Sequence, residues 1–345
     1  MKTTIKPFNI ILLVLLSWNG TLFTQSNMDS LRIVREALQM IEFSEPEFYQ
    51  PYIPNLSPSD IADMGFEQPH QSEAIKFQMG DGIQIHGQKY ERTSSKTVLL
   101  LHGTLADSYT YNKMAGLLRE SLNAEVIAID LRGHGQSGGR PGDVSTLNQY
   151  AEDVDDIIAS IRMENPEEMV ILAGHSMGGG IVLRHVETFP DTQVDGYLLF
   201  APNLGTSSPT THQNLDVESN FIKIHLARGL GLRLLNEFGI HEYDSLQVVF
   251  YNLPANMPIR SYSYRSMQAS HPKNYREALR AIDKPMLVLV GSADEAFIAE
   301  EYGPVIRSYS GGECYIVEAA THNGIRHSEE AMQKVRDWAV TNNLE

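Results

Sequence analysis

A single cysteine, Cys314, occurs in this chain of 345 residues. One thiol cannot form an internal disulfide, so covalent cross-links within the chain are excluded. Cys314 lies in the apolar run ECYIVEA, where we expect it to pack as a small buried side chain. A chain of this length can bury most of its apolar surface without cross-links, and its composition is that of an ordinary globular protein.

Basic residues are also scarce, with 27 Lys and Arg against 43 Asp and Glu and a net charge of −16 at pH 7. A surface of this sign repels nucleic acid and anionic membranes, so we expect neither as the main partner. The glycine-rich stretch GHGQSGG lacks the ending and the spacing of a phosphate-binding loop. The histidines between residues 206 and 280 lack the spacing of metal ligands. We therefore expect no cofactor and no metal.

The apolar run near the N-terminus is too short for a stable membrane span. It extends from Ile10 to Trp18, about nine residues, whereas a spanning helix needs about 20. Lys2 and Lys6 precede it and polar residues follow, which is the layout of a secretory signal. We predict a signal peptide over residues 1–25 and export to the periplasm or the extracellular space after its cleavage. An uncleaved anchor or a buried helix is the alternative.

An arm over residues 26–70 precedes the regular part of the sequence. It begins with the helical pattern MDSLRIVREALQMIEF and continues with several prolines and aromatic residues. Beyond it, apolar runs such as KTVLLLHG, EEMVILAG and KPMLVLVG alternate with amphipathic stretches, which predicts a mostly parallel sheet with helices on both faces. The alternation stops over residues 206–280, a segment too long for a loop. We predict a helical cap there, inserted into a core of residues 71–205 and 281–345.

The stretch LAGHSMGGG contains the pattern G-x-S-x-G from Gly174 to Gly178, with Ser176 at its centre. It joins the apolar strand pattern EEMVILAG to the helical pattern GGGIVLRHVETF. A nucleophile on such a sharp turn needs small residues two positions before and two after it. The turn would expose the Ser176 hydroxyl at the carboxyl end of the sheet, where ligands bind in open α/β folds. The alternative is a glycine-rich start to a helix.

A serine hydroxyl needs a base, and the base needs a carboxylate that orients it. On this type of sheet the three residues follow the order serine, acid, histidine. Asp294 follows the strand pattern MLVLVG, and His322 follows the next one, ECYIVEA. We predict Asp294 as the orienting acid and His322 as the base. Two other acidic residues near strand ends remain as alternatives to Asp294: Glu295 and Glu318.

An oxyanion hole requires two backbone N–H groups that point at the developing negative charge. We predict one from Met177, which follows the nucleophile. The other is expected from the loop after TVLLLHG, with Thr104 as the first candidate and Leu105 as the alternative. His102 in this loop is interpreted as a brace for the loop rather than as a base.

Five stretches together resemble the α/β-hydrolase superfamily: LHGTLADSYTY, IDLRGHGQSGGRPG, GHSMGGG, GSADEAF and THNGI. They look most like the branch of monoacylglycerol lipases, lysophospholipases and serine aminopeptidase-like hydrolases. The resemblance covers about residues 74–205 and 281–340 and is weak in the arm and the cap. It implies an α/β-hydrolase fold, with a mostly parallel eight-stranded sheet, flanking helices and an inserted cap. It also implies the same site residues: Ser176, Asp294, His322, Thr104 and Met177.

The expected activity is hydrolysis of a small acyl ester, of the monoacylglycerol or lysophospholipid type. Apolar residues of the oxyanion loop and the cap are expected to contact this substrate: Leu105, Phe221, Leu230 and Phe238. An amide or peptide hydrolase and an acyltransferase on the same residues remain as alternatives. In the aminopeptidase case, an acidic residue would hold the substrate amine, with three candidates: Glu218, Glu237 and Glu242. A non-catalytic binding protein on the same scaffold is the remaining alternative.

Overall fold

The computed structural model describes residues 25–212 and 220–344 of the chain. Except for its last residue, the predicted signal peptide lies outside the described residues, as does Glu218. The chain divides into two compact units, the first consisting of Met1–Ser44 and Leu226–His241 and the second of Glu45–His225 and Glu242–Glu345. Among the described residues, no helix has the length and apolar character needed to cross a bilayer.

The secondary structure alternates between strands and helices after the arm. The strands are β1 (Glu73–Gln78), β2 (Gln84–Tyr90), β3 (Lys96–Leu101), β4 (Glu125–Ile129), β5 (Met169–His175), β6 (Gly196–Phe200), β7 (Ile222–Ile224), β8 (Gln247–Tyr251), β9 (Ser261–Ser263), β10 (Met286–Ala293) and β11 (Glu313–Thr321). The α-helices are α1 (Gln25–Ile41), α2 (Pro58–Asp63), α3 (Asn112–Leu122), α4 (Gln149–Glu164), α5 (Met177–Thr188), α6 (Leu226–Glu237), α7 (Tyr264–Ala269), α8 (Tyr275–Ala281), α9 (Ala299–Tyr309) and α10 (Glu329–Thr341).

Eight strands form one sheet in the order β1-β2-β4-β3-β5-β6-β10-β11. The pairs β1–β2 and β2–β4 are antiparallel, and all the other pairs are parallel. The predicted mostly parallel sheet of eight strands is therefore confirmed. Since β5, β10 and β11 all run in the same direction, the residues that follow them meet at one edge of the sheet.

Helices cover both faces of this sheet, and alternate residues of each strand pack against them. On β3, Leu99 and Leu101 belong to a core shared with α4, α5, α8 and α9. Val98 and Leu100 belong to a second core, shared with α3 and α10. Burial on both faces explains why these strands read as continuous apolar runs in the sequence.

The segment between β6 and β10 is less helical than the sequence indicates. It contains α6, α7 and α8, but also an antiparallel sheet of β7, β8 and β9. The strand QVVFY of β8 is rich in β-branched and aromatic residues, which favour this conformation. The strand is short and lies among helix-forming stretches, so the sequence pattern of the whole segment predicts helix.

The first unit pairs α1 of the arm with α6 of the inserted segment. Gly231 permits close packing, since a Cβ atom there would lie 2.7 Å from the carbonyl oxygen of Ala37. The Arg228 guanidinium donates to the carbonyl oxygens of Ile41 (3.3 Å) and Phe43 (3.2 Å) at the end of α1. The arm is therefore not a free extension, because its helix is integrated with a helix of the insertion.

Candidate active site

Ser176 lies on the turn between β5 and α5 in a conformation that is rare for a residue with a side chain. Its φ is 55° and its ψ is −116°. The turn is crowded, since a Cβ atom at Gly174 would lie 2.5 Å from the backbone of Gly178. A Cβ atom at Gly178 would lie 2.3 Å from the carbonyl oxygen of Leu101. Both glycines of the pattern are therefore required sterically, and the turn has the expected strand–turn–helix form.

The structure brings Ser176, His322 and Asp294 together from three strand ends. His322 Nε2 lies 2.9 Å from Ser176 Oγ, and His322 Nδ1 lies 2.9 Å from Asp294 Oδ2. The other carboxylate oxygen of Asp294 accepts the backbone N–H groups of Ala296 and Phe297, each at 2.8 Å. These bonds fix the carboxylate, which in turn fixes the imidazole with Nδ1 protonated and Nε2 free to accept the serine proton.

The two alternative acids occupy different positions. Glu295 accepts the backbone N–H of His322 at 3.0 Å through Oε2, so it contacts the main chain of the histidine rather than its ring. Glu318 is exposed on β11. The geometry therefore favours Asp294 as the residue that orients the imidazole.

The oxyanion loop distinguishes between the two candidate donors. The N–H of Leu105 donates to the Tyr262 hydroxyl at 3.0 Å. Within the described part of the chain, the N–H groups of Thr104 and Met177 have no hydrogen-bond acceptor. Because Leu105 is already bonded, this geometry favours Thr104 as the second donor.

His102 braces the oxyanion loop, as the sequence indicated. Its Nδ1 donates to the carbonyl oxygen of Gly103 at 2.8 Å, and its Nε2 accepts the N–H of Leu131 at 3.0 Å. Burial lowers the pKa of His102, so its ring is held neutral. Both ring nitrogens are engaged, and this leaves the ring no role as a base.

The arm contributes a contact beside the histidine, which the sequence did not reveal. Asp63, at the end of α2, accepts the Thr321 hydroxyl at 3.0 Å through its carboxylate and the Arg326 guanidinium through its carbonyl oxygen. Thr321 directly precedes His322. The second half of the arm therefore supports the loop that carries His322, a contact between residues 258 positions apart.

A cavity of about 510 Å³ lies beside the oxyanion loop. It is lined by Gln68, Ser72, Gln88, Leu105, Ala106, Asp107, Ser108, Tyr109, Asp130, Gly135, Gln136, Met257, Pro258 and Ile259. Leu105 thus lines a cavity, and its contact with a substrate stays a prediction.

The other predicted substrate contacts lie elsewhere. The Phe221 ring packs against Tyr52 (centroids 4.8 Å apart) and Tyr251 (5.6 Å) and does not line this cavity. Leu230 and Phe238 belong to the first unit, where each remains about two-fifths exposed. Two of the acids considered for an amine site are also exposed: Glu237 and Glu242. In the described part of the chain, no cluster of three or more His, Cys, Asp or Glu side chains could hold a metal ion.

Residues 92–327 match the profile of a family described as serine aminopeptidase, S33. A monoacylglycerol lipase of Mycolicibacterium smegmatis is 34% identical over 99 residues, which are 27% of this chain and 33% of that protein. A monoglyceride lipase of Rattus norvegicus is 30% identical over 141 residues, which are 40% of this chain and 46% of that protein. The chain thus aligns with less than half of the length of these curated relatives.

Solved structures share the fold over most of the chain. An esterase of Pyrococcus furiosus superposes with a TM-score of 0.53 at 17% identity and covers 85% of this chain and 96% of its own. At that identity the likeness concerns the fold alone.

Proposed function

Since the chain belongs to the serine aminopeptidase (S33) family of α/β hydrolases, we propose that it cleaves carboxylic esters through an acyl-enzyme on Ser176. The observation that supports this most strongly is the pair of 2.9 Å contacts that link Asp294, His322 and Ser176. A serine hydroxyl becomes nucleophilic only when a neighbouring base removes its proton, and this arrangement supplies that base.

In the proposed mechanism, Ser176 Oγ attacks the ester carbonyl carbon while His322 Nε2 takes the hydroxyl proton. Asp294 stabilises the imidazolium that forms. The N–H groups of Met177 and Thr104 donate to the oxyanion of the tetrahedral intermediate. Collapse of the intermediate releases the alcohol, which receives its proton from His322. Water, deprotonated by His322, then hydrolyses the acyl-enzyme and regenerates Ser176.

The proposed substrate is an acyl ester of a neutral alcohol, of the monoacylglycerol type. Two relatives are named as lipases of such esters. The cavity beside Leu105 combines apolar side chains with amides and the carboxylates of Asp107 and Asp130, and none of the described Lys or Arg residues lines it. Such a lining suits hydroxyl groups better than a phosphate, which favours a monoacylglycerol over a lysophospholipid. The exported location expected from residues 1–25 stays part of this proposal.

The purified protein should hydrolyse p-nitrophenyl esters of increasing chain length faster than amino-acid p-nitroanilides. It should also hydrolyse a monoacylglycerol faster than a lysophospholipid with the same acyl chain. The chain-length series measures the acyl pocket, and the paired lipids measure the preference for the alcohol. Faster release of p-nitroaniline would contradict the ester proposal and favour an aminopeptidase. Faster hydrolysis of the lysophospholipid would contradict the preference for a neutral alcohol.

A further inference from the structure

The peptide group that follows Thr104 is held by a tyrosine from the inserted segment. Leu105 has a φ of 60°, which is uncommon for a residue with a branched side chain. Its N–H donates to the hydroxyl of Tyr262 at 3.0 Å. Tyr262 lies on β9, and its side chain is fully buried. An unusual backbone conformation is thus stabilised by a specific buried partner.

The Tyr262 hydroxyl is itself oriented by His134. The hydroxyl lies 2.9 Å from His134 Nε2, and His134 Nδ1 lies 3.0 Å from the carbonyl oxygen of Arg132. A carbonyl oxygen can only accept, so Nδ1 carries the proton and Nε2 accepts from the tyrosine. Burial lowers the pKa of His134 to about 3, which keeps the ring neutral. The hydroxyl therefore donates to His134 and directs a lone pair at the N–H of Leu105.

A second tyrosine–histidine pair holds the other side of Thr104. The N–H of Gly103 donates to the Tyr111 hydroxyl at 2.8 Å, and this hydroxyl lies 2.6 Å from His175 Nδ1. His175 Nε2 donates to the carbonyl oxygen of His322 at 2.8 Å. The peptide group that carries the Thr104 N–H therefore lies between two groups that are each fixed by a buried hydroxyl.

We propose that Tyr262 is a positioning residue of the oxyanion hole: its hydroxyl fixes Leu105 and so aims the Thr104 N–H at the oxyanion. This inference rests on the proposed function. It gives the inserted segment a role in the reaction itself, in addition to any contact with substrate. It also explains how Leu105, which is not a glycine, keeps a positive φ: a hydroxyl from a distant part of the chain accepts its N–H.

The variant Tyr262→Phe removes one hydroxyl and keeps the buried ring. Without that hydroxyl the Thr104 N–H is expected to shift, and a shift of about 1 Å can lower the rate of a reaction about 100-fold. We therefore expect kcat for the best p-nitrophenyl ester to fall about 10- to 100-fold, with KM nearly unchanged. Tyr251→Phe is the matched control. The ring of Tyr251 packs edge-on against the ring of Tyr262, with the ring centroids 6.0 Å apart. The Tyr251 hydroxyl has no hydrogen bond among the described residues. This control should keep the parent kcat.

A trifluoromethyl ketone with the acyl chain of the best ester separates positioning from general damage to the fold. Addition of Ser176 Oγ to its carbonyl carbon gives a hemiketal oxyanion, and the proton goes to His322. Its inhibition constant should rise in Tyr262→Phe by the same factor by which kcat falls. Inhibition by the primary alcohol with the same chain, which has neither a carbonyl group nor a negative charge for the oxyanion donors to bind, should be unchanged.

Two outcomes would overturn the inference while leaving the proposed function intact. One is an active parent enzyme whose kcat and ketone inhibition are the same in Tyr262→Phe. The other is a loss in Tyr262→Phe that inhibition by the primary alcohol shares equally. If Tyr262→Phe does not fold, His134→Gln perturbs the acceptor of the same hydroxyl, and it should lower kcat and ketone affinity together. A parent protein without any esterase activity would instead contradict the proposed function.

Discussion

Replacement of Ser176 by alanine is expected to lower kcat for ester hydrolysis by about 10⁵- to 10⁶-fold, because the acyl-enzyme can no longer form. The residual rate would come from binding and from the oxyanion donors alone. The methyl group of alanine fits the turn at least as well as the serine side chain, so thermal unfolding should change little. The measurement is the hydrolysis of the best p-nitrophenyl ester by the purified variant.

The variant Ser308→Ala is a matched control for this substitution. Ser308 is exposed on α9, where its hydroxyl donates to the carbonyl oxygen of Pro304 at 2.7 Å. That contact lies outside the site, so its loss should leave kcat unchanged. If Ser176→Ala retained a rate comparable with that of Ser308→Ala, the nucleophile would have to be another group.

The second large effect is expected at Asp294. In Asp294→Asn, the amide oxygen is expected to keep the backbone N–H groups of Ala296 and Phe297, which places the NH2 group against Nδ1 of His322. Because an NH2 group can only donate, the imidazole is stabilised in the tautomer with Nε2 protonated. His322 would then lack a free Nε2 to take the proton of Ser176, and kcat should fall by about 10⁴-fold. A kinetic measurement with the same ester at several pH values would detect this loss.

Glu295→Gln provides the comparison that separates the two neighbouring acids. Glu295 accepts the backbone N–H of His322 at 3.0 Å, and the amide oxygen of glutamine can accept the same bond. We expect a small change in kcat in this variant. A larger loss in Glu295→Gln than in Asp294→Asn would identify Glu295 as the acid that orients the histidine.

The sheet and the strand-end residues were predictable because their signals are local. Each buried strand gives a continuous apolar run, and parallel strands bring the residues after them to one edge. Ser176, Asp294 and His322 each follow such a run, so their meeting did not require knowledge of the loops. The glycines around Ser176 were predictable for the same reason, since the crowding arises within a turn of five residues.

The supports of the oxyanion loop were not predictable, because they join distant parts of the chain. Leu105 and Tyr262 are separated by 157 residues, and Tyr262 lies on a three-residue strand in a segment that reads mainly as helix. Asp63 meets the loop of His322 across a still longer separation. A choice between Thr104 and Leu105 depends on which N–H is already bonded. That follows from tertiary packing and not from the residue type.

The apolar residues of the insertion show a further limit of sequence patterns. The sequence predicts substrate contacts for three apolar residues of this segment: Phe221, Leu230 and Phe238. Phe221 instead packs among other aromatic rings, and α6, with Leu230, pairs with α1. An amphipathic helix has the same pattern whether its apolar face covers a ligand or another helix.

Covalent labelling shows whether Ser176 is an activated nucleophile. A fluorophosphonate should phosphonylate the parent protein once, with loss of fluoride, and peptide mass mapping should place the adduct on Ser176. The variant Ser176→Ala should acquire no adduct under the same conditions. A parent protein that stays unlabelled, or a Ser176→Ala variant that labels equally, would show that Ser176 is not the activated nucleophile.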